Sequence, residues 1–196
     1  MTTPLDARRY AAFSDDPAGA NPAGVVLDAS HLTEEKMQQV AAEVGYSETA
    51  FVTGPIESEG SKAIPICYFA PEGEVDFCGH ATIATAVAIG QLAGAGTSTL
   101  QTKVGPIEIT ARLEGDRAVG TLRSPDVDCF PITEELLDQL LAALGWSAHD
   151  LDPDLPPAGG FGGNRHPFWS PAKSTGWLPC HTTSTHCSAS AANTTG

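Results

Sequence analysis

The chain has 196 residues, 41% of them hydrophobic, and a formal charge of −14 at pH 7. That is enough apolar material for one good domain or one and a half, and the charge excludes nucleic acid and anionic membranes as partners. No apolar run reaches membrane length, no signal-peptide pattern opens the chain, and the five cysteines show no tight pairing pattern, so the expected location is a reducing cytoplasm.

In chain order, Arg8 to Ser14 reads as a first strand and Asp15 to Asn21 as a turn-rich loop. Asn21-Pro22-Ala23-Gly24 leads into a short buried strand, Val25-Val26-Leu27. Thr33 caps a helix from Glu34 to Val44, with acids in its first turn, where the dipole favours them. Ala50, Phe51 and Val52 read as a strand that Glu48 opens. Ile64 to Phe69 is another strand, and Pro65 within it suggests an edge or a bulge. The run from Ala81 to Leu92 is almost wholly apolar and reads as a helix buried on most sides. Gly94 and Gly96 stop it. Thr97 to Thr102, Pro106 to Arg112 and Ala118 to Arg123 read as β, with a hairpin turn at Gly115-Asp116. Thr133 caps a last helix, Glu134 to Leu144, which Gly145 ends. Strands around one buried helix, then the start of a second unit, make the fold α+β.

The chemistry gathers at Asp76-Phe77-Cys78-Gly79-His80, where the central helix begins. Free backbone N–H groups there favour an anion. Cys78 is either a small core hydrophobe or a thiol activated by the helix end. His80 either caps the helix or acts in the site, and Asp76 either caps the turn or joins it. Glu48 is either a solvated carboxylate or a half-buried base. Glu48 with His80 would suit removal of a proton alpha to a carbonyl or carboxylate, and its return elsewhere.

Taken together, Asn21-Pro22-Ala23-Gly24-Val25, Ser47-Glu48-Thr49-Ala50-Phe51-Val52, Phe69-Ala70-Pro71, Val75-Asp76-Phe77-Cys78-Gly79-His80-Ala81-Thr82 and Gly162-Gly163-Asn164-Arg165-His166-Pro167 resemble the phenazine-biosynthesis PhzF-like family, over about residues 5 to 167. The resemblance implies a diaminopimelate-epimerase-like fold, in which two similar domains each wrap a mixed sheet around a central helix and the active site lies between them. It implies a cofactor-independent isomerase or epimerase without a metal, acting on a small carboxylate-bearing metabolite, and a homodimer. The family's catalytic glutamate falls on Glu48 and its site histidine on His80. Asp76, Cys78, Gly79 and Ala81 are the implied substrate-binding positions, Gly79 and Ala81 through their amides. The cysteine of related epimerases falls near Cys78, where the family varies.

The family continues past this length, into a second domain with an Asp-Pro-x-Thr-Gly type motif that this sequence lacks. The expected organisation is therefore an N-terminal domain over 1–130, the start of an incomplete second domain over 131–167, and an aberrant, disordered tail over 168–196. Of the 29 residues from Phe168 to Gly196, 11 are Ser or Thr and none is acidic, a composition that cannot supply a core. A reading-frame shift near Pro167 would produce such a tail: one base out of frame, Cys180 to Cys187 can encode Pro-Tyr-Asp-Phe-Asp-Ala-Leu. The grouping of Cys180, His181, His186 and Cys187 is then accidental rather than a metal site. Further expectations are that the last helix exposes Leu136, Leu137, Leu140 and Leu141 unless it finds a partner surface, giving poor solubility or a dimer, and that activity is weak or absent because Glu48 and His80 face solvent instead of a closed cleft. The rival readings are a cysteine-based racemase using Cys78 and a non-catalytic binding or dimerising half-domain.

Overall fold

The computed structural model describes residues 7–14, 20–56, 63–115 and 117–172. They fall into two compact units, Met1–Pro125 and Asp126–Gly196. Residues 15–19 of the expected loop, Asp116 of the expected hairpin turn, and the tail from 173 onward, with its proposed frame shift and its His/Cys group, lie outside the described residues. Among the described residues no helix is long and apolar enough to cross a membrane.

The first unit runs β1 (Arg8–Ala12), β2 (Asn21–Val26), α1 (Glu34–Val44), β3 (Glu48–Val52), β4 (Ile64–Ala70), β5 (Gly73–Val75), α2 (Gly79–Ala93), β6 (Gly96–Thr102), β7 (Gly105–Glu114) and β8 (Arg117–Leu122). Its mixed sheet has the order β1-β2-β3-β4-β6-β7-β8, with β5 paired to β4. The β2–β3 and β4–β6 neighbours are parallel and the remaining pairs antiparallel. Both end strands, β1 and β8, contact α2, so the sheet curls around that helix.

Side-chain alternation divides the core into two layers. Val25, Ala50, Val52, Ile64, Ile66 and Tyr68 face α2, together with Leu100, Ile107 and Ile109 from beyond β4. Val26, Phe51 and Phe69 point the other way, against Met37, Val40 and Ala41 of α1. Strand β3 is thus covered on both faces, which is why it reads as an unbroken apolar run. Strand β7 alternates buried and exposed residues over most of its length, because only its inner face meets α2. The helix can lie this close because its contacts are small: Ala81, Ala84, Ala86, Ala88 and Gly90 are buried. A Cβ added at Gly120 on β8 would come within 2.7 Å of the Ile83 carbonyl oxygen, and one at Gly90 within 2.7 Å of the Ala111 Cβ.

Several boundaries differ from the sequence expectation. Strand β1 stops at Ala12 because Phe13 turns into the left-handed region, at φ 69°. Helix α2 starts at Gly79, two residues before its apolar run. Pro65 marks neither an edge nor a bulge: β4 lies inside the sheet, between β3 and β6. Its register with β6 covers only Ile64↔Leu100 and Pro65↔Gln101, so the proline sits near the strand's start, where a missing N–H costs least.

The second unit runs β9 (Asp128–Phe130), α3 (Glu134–Leu144), a 3-10 turn (Ala148–Asp150), β10 (Ala158–Phe161) and β11 (Arg165–Phe168), with sheet order β11-β10-β9. The Thr133 hydroxyl accepts from the Leu136 amide at 3.2 Å, and Gly145 closes α3 in the left-handed conformation. The expected exposure of four leucines is not met. Leu140 and Leu141 are buried, and Leu136 and Leu137 half-buried, as an apolar stripe at helical spacing requires. Residues 168–172 continue in regular contact: the Asp152 amide donates to the Ser170 carbonyl and the Ala172 amide to the Asp150 carbonyl, each at 2.8 Å.

Candidate active site

Glu48 is placed by the end of one helix and the start of one strand. Gly45 terminates α1 in the left-handed conformation, at φ 71°. The Arg9 guanidinium lies over the Tyr46 ring, 5.4 Å from its centre. Strand β3 then begins at Glu48, in register with Ala23 of β2. His80 is placed by the first turn of α2. Cys78 is that helix's N-cap residue, with extended backbone angles and no side-chain cap; the His80 and Ala81 amides face its sulfur, a weak acceptor that an anionic ligand can displace.

The carbonyl side of this turn is tightly held. The Cys78 carbonyl accepts from the Thr82 amide at 3.0 Å and from the Thr82 hydroxyl at 2.7 Å. That commits the threonine's proton, so the Tyr68 hydroxyl, 2.7 Å from Thr82 Oγ1, is the donor in its own bond. Tyr68 is buried and meets Phe77 edge-on, and burial pushes its pKa up. The signal for this brace in the sequence is a pair of threonines, Thr82 and Thr85, in an otherwise apolar helix; both turn out fully buried. Sequence reasoning passed over Tyr68, Thr82 and Ser47.

Glu48, Cys78 and His80 meet. One donor atom from each lies within 4.8 Å of the others. His80 Nε2 is 3.4 Å from Glu48 Oε2, with the two side chains 10% and 23% exposed: sheltered, yet reachable. Ser47 Oγ is also 3.4 Å from Nε2. Cys78 Sγ is 3.2 Å from His80 Nδ1. The arrangement that satisfies these groups without added charge puts the imidazole proton on Nε2, toward Glu48, and the thiol proton toward Nδ1.

Of the other expected positions, Ala81 is buried and its amide faces the Cys78 sulfur. A Cβ on Gly79 would meet nothing within 4 Å, so the space above the helix end is open. Asp76 is exposed and stands outside the compact group.

Burial pushes the Cys78 thiol up to about 12, with the Glu48 charge adding to the effect. The amides of Ala81 and His80 pull the other way. The helix end therefore lowers the thiol pKa as expected, but desolvation outweighs it, and Cys78 is a thiol at neutral pH. Burial also raises Cys67, to about 11. Both pKa values exceed the ordinary thiol value of 9.0, so between there and about 12 the unfolded chain binds fewer protons than the native one. Stability then falls as pH rises. We expect urea midpoints to hold level up to about pH 9 and to decline steadily above it, through the raised pKa values of these groups; a flat profile to pH 11 would contradict the burial assignment.

Comparison with known proteins places this geometry in context. A family model described as "Phenazine biosynthesis-like protein" matches residues 10–173. A Bacillus subtilis protein named "Uncharacterized isomerase YfhB" is 36% identical over 151 residues, covering 76% of this chain and 50% of that one. A Pseudomonas aeruginosa protein named trans-2,3-dihydro-3-hydroxyanthranilate isomerase is 32% identical over 137 residues, covering 68% of this chain and 47% of that one. Among solved structures, a Bacillus anthracis phenazine biosynthesis protein of the PhzF family aligns with TM-score 0.62 at 32% identity, over 82% of this chain and 54% of that one. A Pseudomonas aeruginosa protein described as a predicted epimerase shares the fold, with TM-score 0.72 at 20% identity over 86% of this chain and 61% of that one. The chain spans about half the length of the curated relatives it matches.

Proposed function

Because the chain belongs to the phenazine biosynthesis-like (PhzC-PhzF) family, we propose that it carries the acid–base site of an isomerase that moves a proton between carbons of a small carboxylate-bearing substrate without a cofactor. The observation that carries this reading is the Glu48–His80 pair, 3.4 Å apart and partly sheltered, at a helix end whose outer face is open. In the proposed reaction the Glu48 carboxylate removes a proton from carbon next to the substrate's carboxylate or its conjugated extension. The negative charge that develops is met by His80 and by the amides at the start of α2. Glu48, now protonated, returns the proton to another carbon.

The substrate carboxylate would sit over Gly79, where no side chain intrudes. Cys78 supports this reading as a buried hydrogen-bonding thiol rather than as a base. The relative named trans-2,3-dihydro-3-hydroxyanthranilate isomerase makes that compound the first probe.

The test is proton exchange in D2O, followed by NMR, with that compound and a panel of small unsaturated and amino carboxylates. Wild type should replace a carbon-bound hydrogen of at least one of them with deuterium, and Cys78→Ser should retain exchange. Loss of all exchange in Cys78→Ser, with the fold intact, would instead favour the cysteine-based racemase.

A further inference from the structure

We propose that Tyr68 and Thr82 are positioning residues: acting through the Cys78 carbonyl, they aim and strengthen the Gly79 amide as the donor to the substrate's carboxylate. The role in turnover rests on the isomerase reading, whereas the amide itself can be tested with any small carboxylate. A trans peptide is planar, with its C=O and N–H on opposite sides. The Cys78 carbonyl and the Gly79 N–H belong to one such peptide, so whatever fixes the oxygen also fixes the N–H. The oxygen is held twice, by the Thr82 amide at 3.0 Å and by the Thr82 hydroxyl at 2.7 Å. That hydroxyl in turn accepts from Tyr68 at 2.7 Å.

Hydrogen bonds joined in such a chain polarise one another. Electron density drawn toward the Cys78 oxygen leaves the N–H across the same peptide a better donor. Water does not compete, since Tyr68 is 1% exposed and Thr82 0%. Of the first three amides of α2, those of His80 and Ala81 face the Cys78 sulfur. The Gly79 amide is the one without a partner among the described residues, and it borders the open space where an added Cβ meets nothing within 4 Å. Tyr68 stands on β4 opposite Ala50 of β3, two residues beyond Glu48, so the brace sets this donor relative to the strand that carries the base. Phenylalanine and valine would fill the same buried space; what the two hydroxyls add is their hold on the Cys78 oxygen.

The experiment follows the Gly79 amide by NMR while benzoate is titrated into the full chain. In wild type the Gly79 resonance should move and saturate. Thr82→Val releases the Cys78 oxygen from the hydroxyl and should weaken benzoate about 10-fold, much of what one hydrogen bond to a charged group supplies. Thr82→Ser keeps the hydroxyl and should restore most of that affinity. Thr82→Val also leaves the buried Tyr68 hydroxyl without its acceptor, so Tyr68→Phe/Thr82→Val is titrated beside it. Replacing both partners by apolar groups of the same shape is nearly neutral for folding, and this double variant decides should Thr82→Val fail to fold. A brace that served stability alone would give the double variant wild-type melting and wild-type affinity. We expect wild-type melting with the affinity still about 10-fold down. Wild-type affinity in the folded double variant overturns the proposal, as does benzoate binding that leaves the Gly79 resonance in place, or no saturable binding at all. If the affinities fall as expected but no carboxylate exchanges hydrogen in D2O, the isomerase reading fails and the brace stands.

Discussion

Glu48→Gln should lower substrate proton exchange by about 10²- to 10⁴-fold, the range supplied by a positioned general acid/base. Glutamine has nearly the same shape, and its side-chain oxygen can still accept from His80 Nε2, so the site keeps its geometry. What it lacks is the lone pair of a carboxylate basic enough to take a carbon-bound proton. Because glutamine keeps the shape of this partly sheltered side chain and its bond to His80, the replacement should change the folding free energy by about 1 kcal/mol at most. The useful result is therefore a split: exchange nearly gone, thermal unfolding almost unchanged. Exchange within a few-fold of wild type would remove Glu48 from the mechanism and turn attention to Cys78 or His80.

Gly120→Val should destabilise the first unit by about 3 kcal/mol, at the upper end for overpacking a filled core, lowering the melting temperature by roughly 10 °C. A Cβ at this position meets the Ile83 carbonyl oxygen at 2.7 Å, the Ala86 Cβ at 3.0 Å and Val87 Cγ2 at 3.1 Å. Two of these belong to the rigid part of α2, so the helix as a whole must shift away from β8, and valine adds two further carbons. The matched control is Gly73→Ala in β5, where the added Cβ meets nothing within 4 Å; its effect should be small. Equal melting temperatures for the two variants would mean that β8 does not lie on α2 as described.

The elements that could be read from sequence were those whose pattern is set locally. Helices α1 and α3 carried their threonine caps, first-turn acids and terminal glycines in plain order. Helix α2 was evident from its apolar run, and the start of β3 at Glu48 from the switch to β-branched and aromatic residues. The strands that escaped were β5, too short to show alternation, and β9 to β11, where Ala-Gly-Gly-Phe has almost no strand propensity. Gly159 and Gly160 are used there because the rings of Phe130 and Phe168 lie against them, a tertiary reason that no local pattern encodes.

The position of β4 inside the sheet was likewise hidden, since Pro65 argues for an edge until its place near the strand start is known. In the site, Glu48 and His80 could be picked out by residue type and by their flanks. The state of Cys78 could not, because a helix end lowers a thiol pKa while burial raises it, and only the packing tells which is larger. Tyr68 and Thr82 were missed because their role lies in a bond between two elements.

The short join between β4 and β6 has a consequence for how such a molecule can change over generations. Glu48 and the first turn of α2 both depend on the sheet from β1 to β5, on one side of that join. Strands β6 to β8 lie on the other side and are tied across by two residue pairs, by the Lys103–Glu74 ion pair and by packing on α2. Replacements in the outer faces of β6 to β8 can therefore accumulate, or exchange one surface for another, without disturbing the spacing of carboxylate and imidazole. The inner faces of both halves, which hold the chemistry and clasp the helix, are constrained, and only the outer faces of β6 to β8 are free to drift.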